Sequence, residues 1–159
     1  MMQRTLVLIK PDGVKRAFIG RIISRFEDAG LKIAGMKLVW IDKEFSKKHY
    51  CEHLQKEFYK TLETFITSGP VLAMCLEGVN VIEIVRKMVG STEPYKALPG
   101  TIRGDFAHLS AEWANKKQKC VPNLIHASDS PKNAEKEIAL WFRPEEIHDY
   151  NTVHEEFVF

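Results

Sequence analysis

One histidine of this chain lies inside an apolar segment and just ahead of a helix start. His126 interrupts the apolar run at residues 121–127, and Ser130 followed by Pro131 predicts that a helix begins behind it. Anions bind readily at a helix N-terminus. Glu137 follows in that helix, and a carboxylate that bonds one imidazole nitrogen fixes the tautomer and leaves the other nitrogen as a nucleophile. Taken singly, His126 also fits a satisfied core histidine and Glu137 a surface charge.

Three cations border strands or loops rather than runs of charge: Lys10, Arg86 and Arg103. A guanidinium grips phosphate with two donors, and a phosphoryl group in transfer carries charge on three oxygens. Thr92, in the loop that holds Arg103, adds a hydroxyl donor. A nucleophilic histidine among such donors predicts phosphoryl transfer through a phosphohistidine.

The remaining reactive residue types suggest less chemistry. His49 and His53 lie four apart on a predicted helix, so they could bind a metal as a pair, but the charged residues around them favour a solvated helix face. The other three histidines, His108, His148 and His154, are expected at the surface. The sequence contains no GxxxxGK[ST], GxGxxG, HExxH or GxSxG motif. The scattered cysteines, Cys51, Cys75 and Cys120, predict buried or partly buried thiols in a reducing compartment rather than a zinc or redox site.

These residues must be positioned by about ten elements. Period-2 or continuous apolar patterns predict strands at residues 5–9, 31–41 (with a bulge near Ala34 and Gly35), 71–76 and 121–127. Period-3.6 patterns and caps predict helices at 18–29, 42–54 and 62–67, after an Asn80–Glu83 capping box, within 107–119, and after Ser130. Residues 90–105, rich in glycine and proline, predict a long ordered loop.

The order of elements favours a ferredoxin-like βαββαβ sandwich, in which helices pack on one face of a four-stranded antiparallel sheet. A doubly wound parallel sheet is the competing topology. A length of 159 residues fits a single domain over residues 1–159.

Charge and hydropathy limit the surroundings of the protein. With 23 basic and 21 acidic side chains, the net charge of +2 gives little electrostatic support for binding duplex nucleic acid. No apolar run approaches the roughly 18 residues of a membrane span, and the first residues do not resemble a signal peptide. We therefore expect a cytoplasmic protein that needs neither nucleic acid nor membrane.

Several longer motifs together resemble the nucleoside diphosphate kinase family. They are residues 10–14 (KPDGV), 99–106 (PGTIRGDF), and 123–130 (NLIHASDS) followed by 134–137 (AEKE), with 68–71 (SGPV) and 141–142 (WF) also fitting. The resemblance extends over nearly the whole chain. It implies a ferredoxin-like fold and, with Mg²⁺ held mainly by the nucleotide, ping-pong transfer of a γ-phosphate from a nucleoside triphosphate to a nucleoside diphosphate. It also implies a homo-oligomer, with a hexamer favoured over a tetramer.

The resemblance assigns roles by position. His126 matches the phosphorylated histidine, Glu137 its orienting carboxylate, and Ser128 the serine beside it. The positions that match phosphate and sugar contacts are Lys10, Tyr50, Arg86, Thr92, Arg103 and Asn123. Phe58 matches the aromatic that stacks on the base, with Leu62 beside it.

The chain departs from the family pattern at two places. Ala127 stands where the family usually has glycine, and about ten extra residues form an insertion at 107–120. The insertion predicts either a solvated loop or a flap or subunit contact anchored by Trp113. Two other functions stay open: a non-catalytic nucleotide- or RNA-binding module, which would expose aromatic residues on its strands, and a phosphocarrier with an active histidine. An adhesion role for the Arg-Gly-Asp triplet at 103–105 is much weaker.

Overall fold

A computed structural model describes residues 1–158. Within that range the chain forms a sheet in the order β2-β3-β1-β4, and all neighbouring strands run antiparallel. The strands are β1 (Met2–Ile9), β2 (Lys32–Val39), β3 (Val71–Val79) and β4 (Ile125–Ala127). This order and direction confirm the ferredoxin-like arrangement and exclude the doubly wound parallel sheet.

Helices connect the strands and flank the sheet. They are α1 (Pro11–Lys15), α2 (Ile19–Asp28), α3 (Lys43–His49), α4 (Tyr59–Ile66), α5 (Val81–Val89), α6 (Ile102–Phe106), α7 (Ala111–Lys116), α8 (Pro131–Trp141) and α9 (Glu155–Val158). Single 3₁₀ turns lie at Cys51–His53, Pro94–Lys96 and Pro144–Glu146. No helix within residues 1–158 is both long enough and apolar enough to cross a bilayer.

The central strand β1 is buried on both faces, which explains its unbroken apolar sequence. Val7 and Ile9 pack into a core with α2 and α5, whereas Leu6 and Leu8 pack into a second core with α4 and Trp141. Side chains alternate across a strand, so these two cores lie on opposite faces of the sheet. Helices therefore cover both faces rather than the one face that the sequence suggested.

The strand that carries His126 is shorter than its apolar pattern predicted. β4 begins at Ile125 rather than at residue 121, and it pairs with β1 over three residues, with His126 opposite Leu8. Pro122 has no N–H to donate to a strand ladder, and Leu124 has a left-handed backbone with φ of 68°. The segment before β4 therefore curves instead of extending.

Several helix boundaries agree with the capping residues seen in the sequence, and one does not. The side chains of Asp42 and Ser130 each accept a hydrogen bond from the amide three residues ahead. Asn80 makes no such bond, because it has a left-handed backbone (φ of 52°) that turns β3 directly into α5. The predicted capping box with Glu83 is therefore wrong.

Other boundaries move by three to five residues. The helix expected to end near residue 54 stops at His49 and continues as the Cys51–His53 turn, and the helix expected from residue 62 starts at Tyr59. The β2 bulge falls between Ile33 and Gly35, as predicted. The predicted loop at 90–105 is ordered but contains a 3₁₀ turn and α6.

The two glycines at 104 and 20 are expected to respond oppositely to alanine. A Cβ at Gly104 would collide with the carbonyl oxygen of Leu98, whereas a Cβ at Gly20 meets nothing within 4 Å. Gly104→Ala should lower the free energy of unfolding by about 1–3 kcal/mol through overpacking. Gly20→Ala, at an exposed position of α2, should raise it by about 0.5–1 kcal/mol. Urea unfolding of both variants measures this, and equal effects would contradict the packing of α6 against Leu98.

Candidate active site

A cleft of about 880 Å³ lies on the β4 side of the molecule, between the α3–α4 region, α8 and the 90–123 segment. All of the site residues predicted from the sequence line it except Ser128, which is fully buried behind it. The lining members of that set are Lys10, Tyr50, Phe58, Leu62, Arg86, Thr92, Arg103, Asn123, His126 and Glu137. Residues more than a hundred positions apart in the chain thus share one cavity.

His126 faces the cleft because of strand alternation. Ile125 and Ala127 on either side of it pack into the α2–α5 core, so the imidazole points to the opposite face of the sheet. Its Nε2 lies 3.1 Å from both Oε1 and Oε2 of Glu137, which projects from α8. With Nε2–H donating to the carboxylate, Nδ1 is the ring nitrogen left with a lone pair for chemistry.

A buried serine holds the carboxylate in place. The Ser128 hydroxyl donates to Oε2 of Glu137 at 2.5 Å and accepts from the Leu6 amide at 3.2 Å. The Ser128 amide in turn donates to the Leu6 carbonyl at 3.1 Å. Hydrogen bonds through Glu137 and Ser128 thereby connect the His126 ring to the backbone of β1 and fix the orientation of the ring.

Lys10, the residue that follows β1, places a buried cation in the same cleft. Its Nζ donates to Oδ1 of Asn123 at 2.7 Å, and Nδ2 of Asn123 donates to the Thr92 carbonyl at 2.9 Å. Burial, followed by repulsion from Arg103, lowers the pKa of Lys10 from 10.5 to about 8. An anion bound beside Lys10 would favour its charged form.

Arg103 is also buried, and much of its donor capacity is used within the chain. Its guanidinium donates to the carbonyls of Asn123 (3.1 Å), Gly90 (3.0 Å) and Ile125 (2.6 Å). Burial, with repulsion from Arg86, lowers its pKa to about 10. Because a guanidinium has five N–H donors, two remain for a ligand.

The other polar groups differ in exposure. Arg86 and Thr92 are exposed at the wall of the cleft, so they can meet a ligand without reorganising the core. Tyr50 is buried, and within residues 1–158 its hydroxyl has no hydrogen-bond partner. Burial raises the pKa of Tyr50 above its usual value, so the phenol keeps its proton as a donor.

One end of the cleft is apolar and aromatic. The Phe58 side chain is 51% exposed, with the His53 ring centroid 5.7 Å from its own, and Leu62 lies buried on the next helical turn. A flat aromatic ligand could stack on Phe58 here, whereas Lys10 and Arg103 offer only cationic donors.

His49 is the residue that sequence reasoning misplaced. It was expected on a solvated helix face, but it is partly buried in the cleft wall, and its Nδ1 accepts a hydrogen bond from Trp141 Nε1 at 3.1 Å. Its ring meets the His126 ring edge to face, with centroids 5.0 Å apart. Helical spacing gave the polar neighbours of His49 but carried no signal of the aromatic residue that packs against it.

Two smaller expectations also meet the structure. His108, His148 and His154 are exposed, as predicted. Cys51 is exposed rather than buried, whereas Cys75 is buried and Cys120 is intermediate; all three are free thiols.

The insertion contributes to the cleft without its tryptophan. Ala111 and Asn115 of α7, with Lys119 after it, line the cavity. Trp113 is 53% exposed and lies under the Lys117 ammonium, 5.1 Å from its ring centroid. The segment thus forms part of the wall, but Trp113 is not its anchor on this cleft.

A resident metal fits this donor set poorly. Ring nitrogens of His49 and His126 and a carboxylate oxygen of Glu137 lie within 4.8 Å of one another. However, the Trp141 bond makes Nδ1 of neutral His49 the acceptor and puts its proton on Nε2, so neither nitrogen offers a free lone pair. The other charged site residues that line the cleft are the cations Lys10, Arg86 and Arg103.

Comparison with protein families matches residues 3–147 to the family model described as nucleoside diphosphate kinase. Proteins of that name from Pyrococcus horikoshii and Archaeoglobus fulgidus are similar to the chain. The first is 54% identical over 148 residues, which are 93% of this chain and 90% of the relative. The second is 46% identical over 158 residues, or 99% and 98% of the two chains.

Solved structures give the same answer. A nucleoside diphosphate kinase from Borrelia burgdorferi, described as a transition-state mimic with bound vanadate and ADP, superposes with a TM-score of 0.95 at 42% identity, covering 99% of this chain and 96% of that one. A halophilic nucleoside diphosphate kinase from Halobacterium salinarum in complex with CDP gives a TM-score of 0.90 at 42% identity, with coverage of 100% and 99%.

The buried charge of Lys10 should appear in the pH dependence of stability. Its pKa of about 8 in the folded protein lies below 10.5, so the unfolded chain binds more protons between these values and stability from this group rises with pH across that window. Below about pH 8 the buried charge of Lys10 lowers the free energy of unfolding by up to about 3 kcal/mol. Lys10→Met should therefore gain stability relative to wild type at pH 7, and the difference should shrink towards pH 10.

Urea unfolding of wild type and Lys10→Met at pH 7, 8, 9 and 10 gives that difference curve. The matched control is Lys132→Met, since Lys132 is exposed on the first turn of α8. The control should give a small and pH-independent difference. A Lys10→Met difference equally independent of pH would contradict the buried charge.

Proposed function

The chain belongs to the nucleoside diphosphate kinase family, and we propose that its phosphotransferase activity proceeds through a phosphohistidine at His126. The observation that carries this assignment is the Nε2–Glu137 contact at 3.1 Å, which commits one ring nitrogen and leaves Nδ1 to act. Glu137 would orient the His126 ring, and Ser128 would hold the Glu137 carboxylate in place. A hydroxyl-bonded carboxylate that fixes an imidazole tautomer is the arrangement a nucleophilic histidine requires.

The transfer conserves charge and protons at His126. The Nδ1 lone pair attacks the γ-phosphorus of a nucleoside triphosphate, and the bond to the β–γ bridging oxygen breaks with its electron pair. The nucleoside diphosphate leaves, while the Nε2 proton stays between the ring and Glu137 and stabilises the cationic phosphoimidazole. A second diphosphate then attacks the same phosphorus in the reverse sense, which returns neutral His126.

The cations bind and neutralise the phosphates. Lys10 and Arg103, both buried, would contact phosphate oxygens in a region with little water, where each charge acts strongly. Arg86 and Thr92 would close on the ligand from the exposed wall, and the unpartnered Tyr50 hydroxyl would donate to an oxygen of the transferring group. Asn123, already bonded to Lys10, would hold the sugar hydroxyl beside the phosphates.

Phe58 would provide the base site. Stacking on an aromatic ring is worth roughly 1–3 kcal/mol per base and accepts any base, because every base has a π-face. The apolar neighbour Leu62 adds contact without a hydrogen-bond code. This end of the cleft therefore suits a kinase that serves many nucleotides.

Mg²⁺ would enter as part of the nucleotide. The cationic donor set of Lys10, Arg86 and Arg103 repels a free cation but fits the phosphate oxygens that hold one. When bound there, Mg²⁺ supplies charge neutralisation on the phosphates. The chain's own contribution is to grip the oxygens that the metal leaves open.

The alternative functions have less support. An RNA-binding module of the RNA-recognition-motif type needs aromatic side chains on an exposed sheet face, whereas helices cover both faces here. A phosphocarrier would not need the aromatic end at Phe58.

Phosphorylation of His126 is tested with γ-labelled ATP and Mg²⁺. The label should be acid-labile and should leave with any added nucleoside diphosphate. His126→Ala should remove both labelling and exchange while the unfolding curve stays cooperative. Glu137→Gln should slow labelling by roughly 10–10³-fold, the usual size of an orienting or acid–base partner.

His108→Ala, which removes an exposed histidine outside the cleft, is the matched control and should label at the wild-type rate. Undiminished exchange in His126→Ala would end the assignment of the nucleophile. An unchanged rate in Glu137→Gln would reduce that residue to a surface charge.

We infer a cytoplasmic location, which the free thiols of Cys51, Cys75 and Cys120 support.

We also infer a homo-oligomer, a hexamer by family resemblance, with the edge strand β2 as an interface. Met36, Leu38 and Trp40 recur at alternate positions and are 51%, 56% and 69% exposed. The C-terminal segment pairs with this edge near its start, where His148 donates its amide to the Ala34 carbonyl at 2.7 Å. Apolar, unpaired strand edges favour association with another chain, so a second copy is the occupant we propose.

Leu38→Lys should lower the native mass in solution, because a charge at the centre of this patch opposes burial. Light scattering after size exclusion measures the mass. Val153→Lys is the control, since Val153 is 82% exposed and lies outside β2. An unchanged mass in Leu38→Lys would remove the β2 edge as the interface.

A further inference from the structure

His49 is the reactive side chain nearest to His126 whose role the preceding assignments leave open. It is the last residue of α3, and its ring stands nearly perpendicular to the His126 ring, at 84° with a centroid separation of 5.0 Å. It lines the cleft and also touches Trp141 at the back, where the ring centroids are 5.4 Å apart.

The Trp141 contact fixes the tautomer of His49. An indole N–H can only donate, so Nδ1 of His49, 3.1 Å from Trp141 Nε1, must be an acceptor. In the neutral imidazole the proton is then on Nε2. The neutral form is itself favoured, because burial and the nearby His126, Lys10 and His53 hold the pKa of His49 well below its usual range.

The resulting Nε2–H donor is unsatisfied. Within residues 1–158 this buried atom has no hydrogen-bond partner. Leaving a buried donor unpaired is unfavourable, and such groups in native proteins need an explanation. An acceptor that arrives with the ligand would supply that explanation. The ring beside His49 is that of His126, which is proposed to carry the phosphoryl group.

We propose that His49 donates its Nε2–H to an oxygen of the phosphoryl group on His126 and so stabilises the phosphoenzyme. This inference rests on the proposed function of His126 and adds a residue to it. His49 keeps its proton throughout the transfer, so it acts as a fixed donor and not as an acid or base. Trp141 is a positioning residue, because it holds His49 in the tautomer that can donate.

The quantity that tests this donor is the equilibrium between enzyme plus ATP and phosphoenzyme plus ADP. It is measured from the labelled fraction at set ATP/ADP ratios, with total nucleotide below saturation. His49→Phe keeps a flat ring but removes the donor, and His49→Gln places an amide N–H near the position of Nε2. We expect the constant to fall about 10-fold or more in His49→Phe, the usual loss for a bond to a charged acceptor, and to stay within about 3-fold of wild type in His49→Gln.

The order of the two variants separates a donor from a packing residue. If His49 serves only to pack against His126, the aromatic phenylalanine is the better replacement and His49→Gln is the worse one. That order, or equal constants in all three proteins, overturns the proposal. His108→Phe, the same substitution at an exposed histidine outside the cleft, should leave the constant unchanged.

A second measurement needs no variant. In wild-type protein labelled with ¹⁵N-histidine, the His49 signals should show a proton on Nε2, and phosphorylation should move that proton downfield and slow its exchange with water. A proton on Nδ1, or an Nε2–H signal indifferent to phosphorylation, contradicts the proposal even if His49→Phe fails to fold. Wild-type protein that takes no label at all would instead overturn the assignment of His126.

Discussion

The buried guanidinium of Arg103 is the contact on which the arrangement of the cleft depends. It bonds the carbonyls of Asn123 and Ile125, on either side of the left-handed Leu124, and the carbonyl of Gly90 at the end of α5. β4 has three residues and one neighbouring strand, so strand pairing alone would hold it weakly. Arg103 adds three hydrogen bonds that tie β4 and the residues before it to the end of α5. The curved approach to β4 is thereby fixed, and with it the position of His126.

The cost of this design is buried positive charge. Lys10 and Arg103 are both nearly inaccessible to solvent. Besides burial, repulsion from Arg103 lowers the pKa of Lys10, and repulsion from Arg86 lowers the pKa of Arg103. Within the described residues no carboxylate lies within 4 Å of either cationic group. Neutral acceptors, the Asn123 amide and backbone carbonyls, satisfy their hydrogen bonds without neutralising them. A carboxylate of the chain paired with these side chains would stabilise their charges in the empty site. The same carboxylate would compete with a phosphate for them. The instability of the empty site is therefore a source of affinity for an anion.

The sequence could predict much of this site and misjudged specific parts of it. Strand patterns, the Ser130 cap and the position of Glu137 after it indicated that His126 and this carboxylate could meet, because each depends on local chemistry, and the family resemblance assigned the two residues their roles. His49 was not predictable, because its environment is made by Trp141, 92 residues away, and helical spacing contains no information on which helix packs against which face. β4 was overextended because the apolar pattern does not reveal a left-handed Leu124, and the second layer of helices was missed because a strand buried on both faces does not say what covers it.

The chemical asymmetry of the cleft fits the way the proposed reaction uses it. One cavity must receive a triphosphate, release a diphosphate and accept a different diphosphate, so the groups that bind must recognise what all these molecules share. The buried and preorganised donors, Lys10, Arg103 and the Tyr50 hydroxyl, cluster at the end beside His126, whereas the other end offers the half-exposed face of Phe58. A binding energy concentrated on phosphates is realised near the phosphorus that moves, where it can favour the transition state, and a weak contact with the base lets one nucleoside be exchanged for another. An arrangement with buried hydrogen bonds to one base would gain affinity for that nucleotide and lose the exchange that makes the phosphohistidine useful.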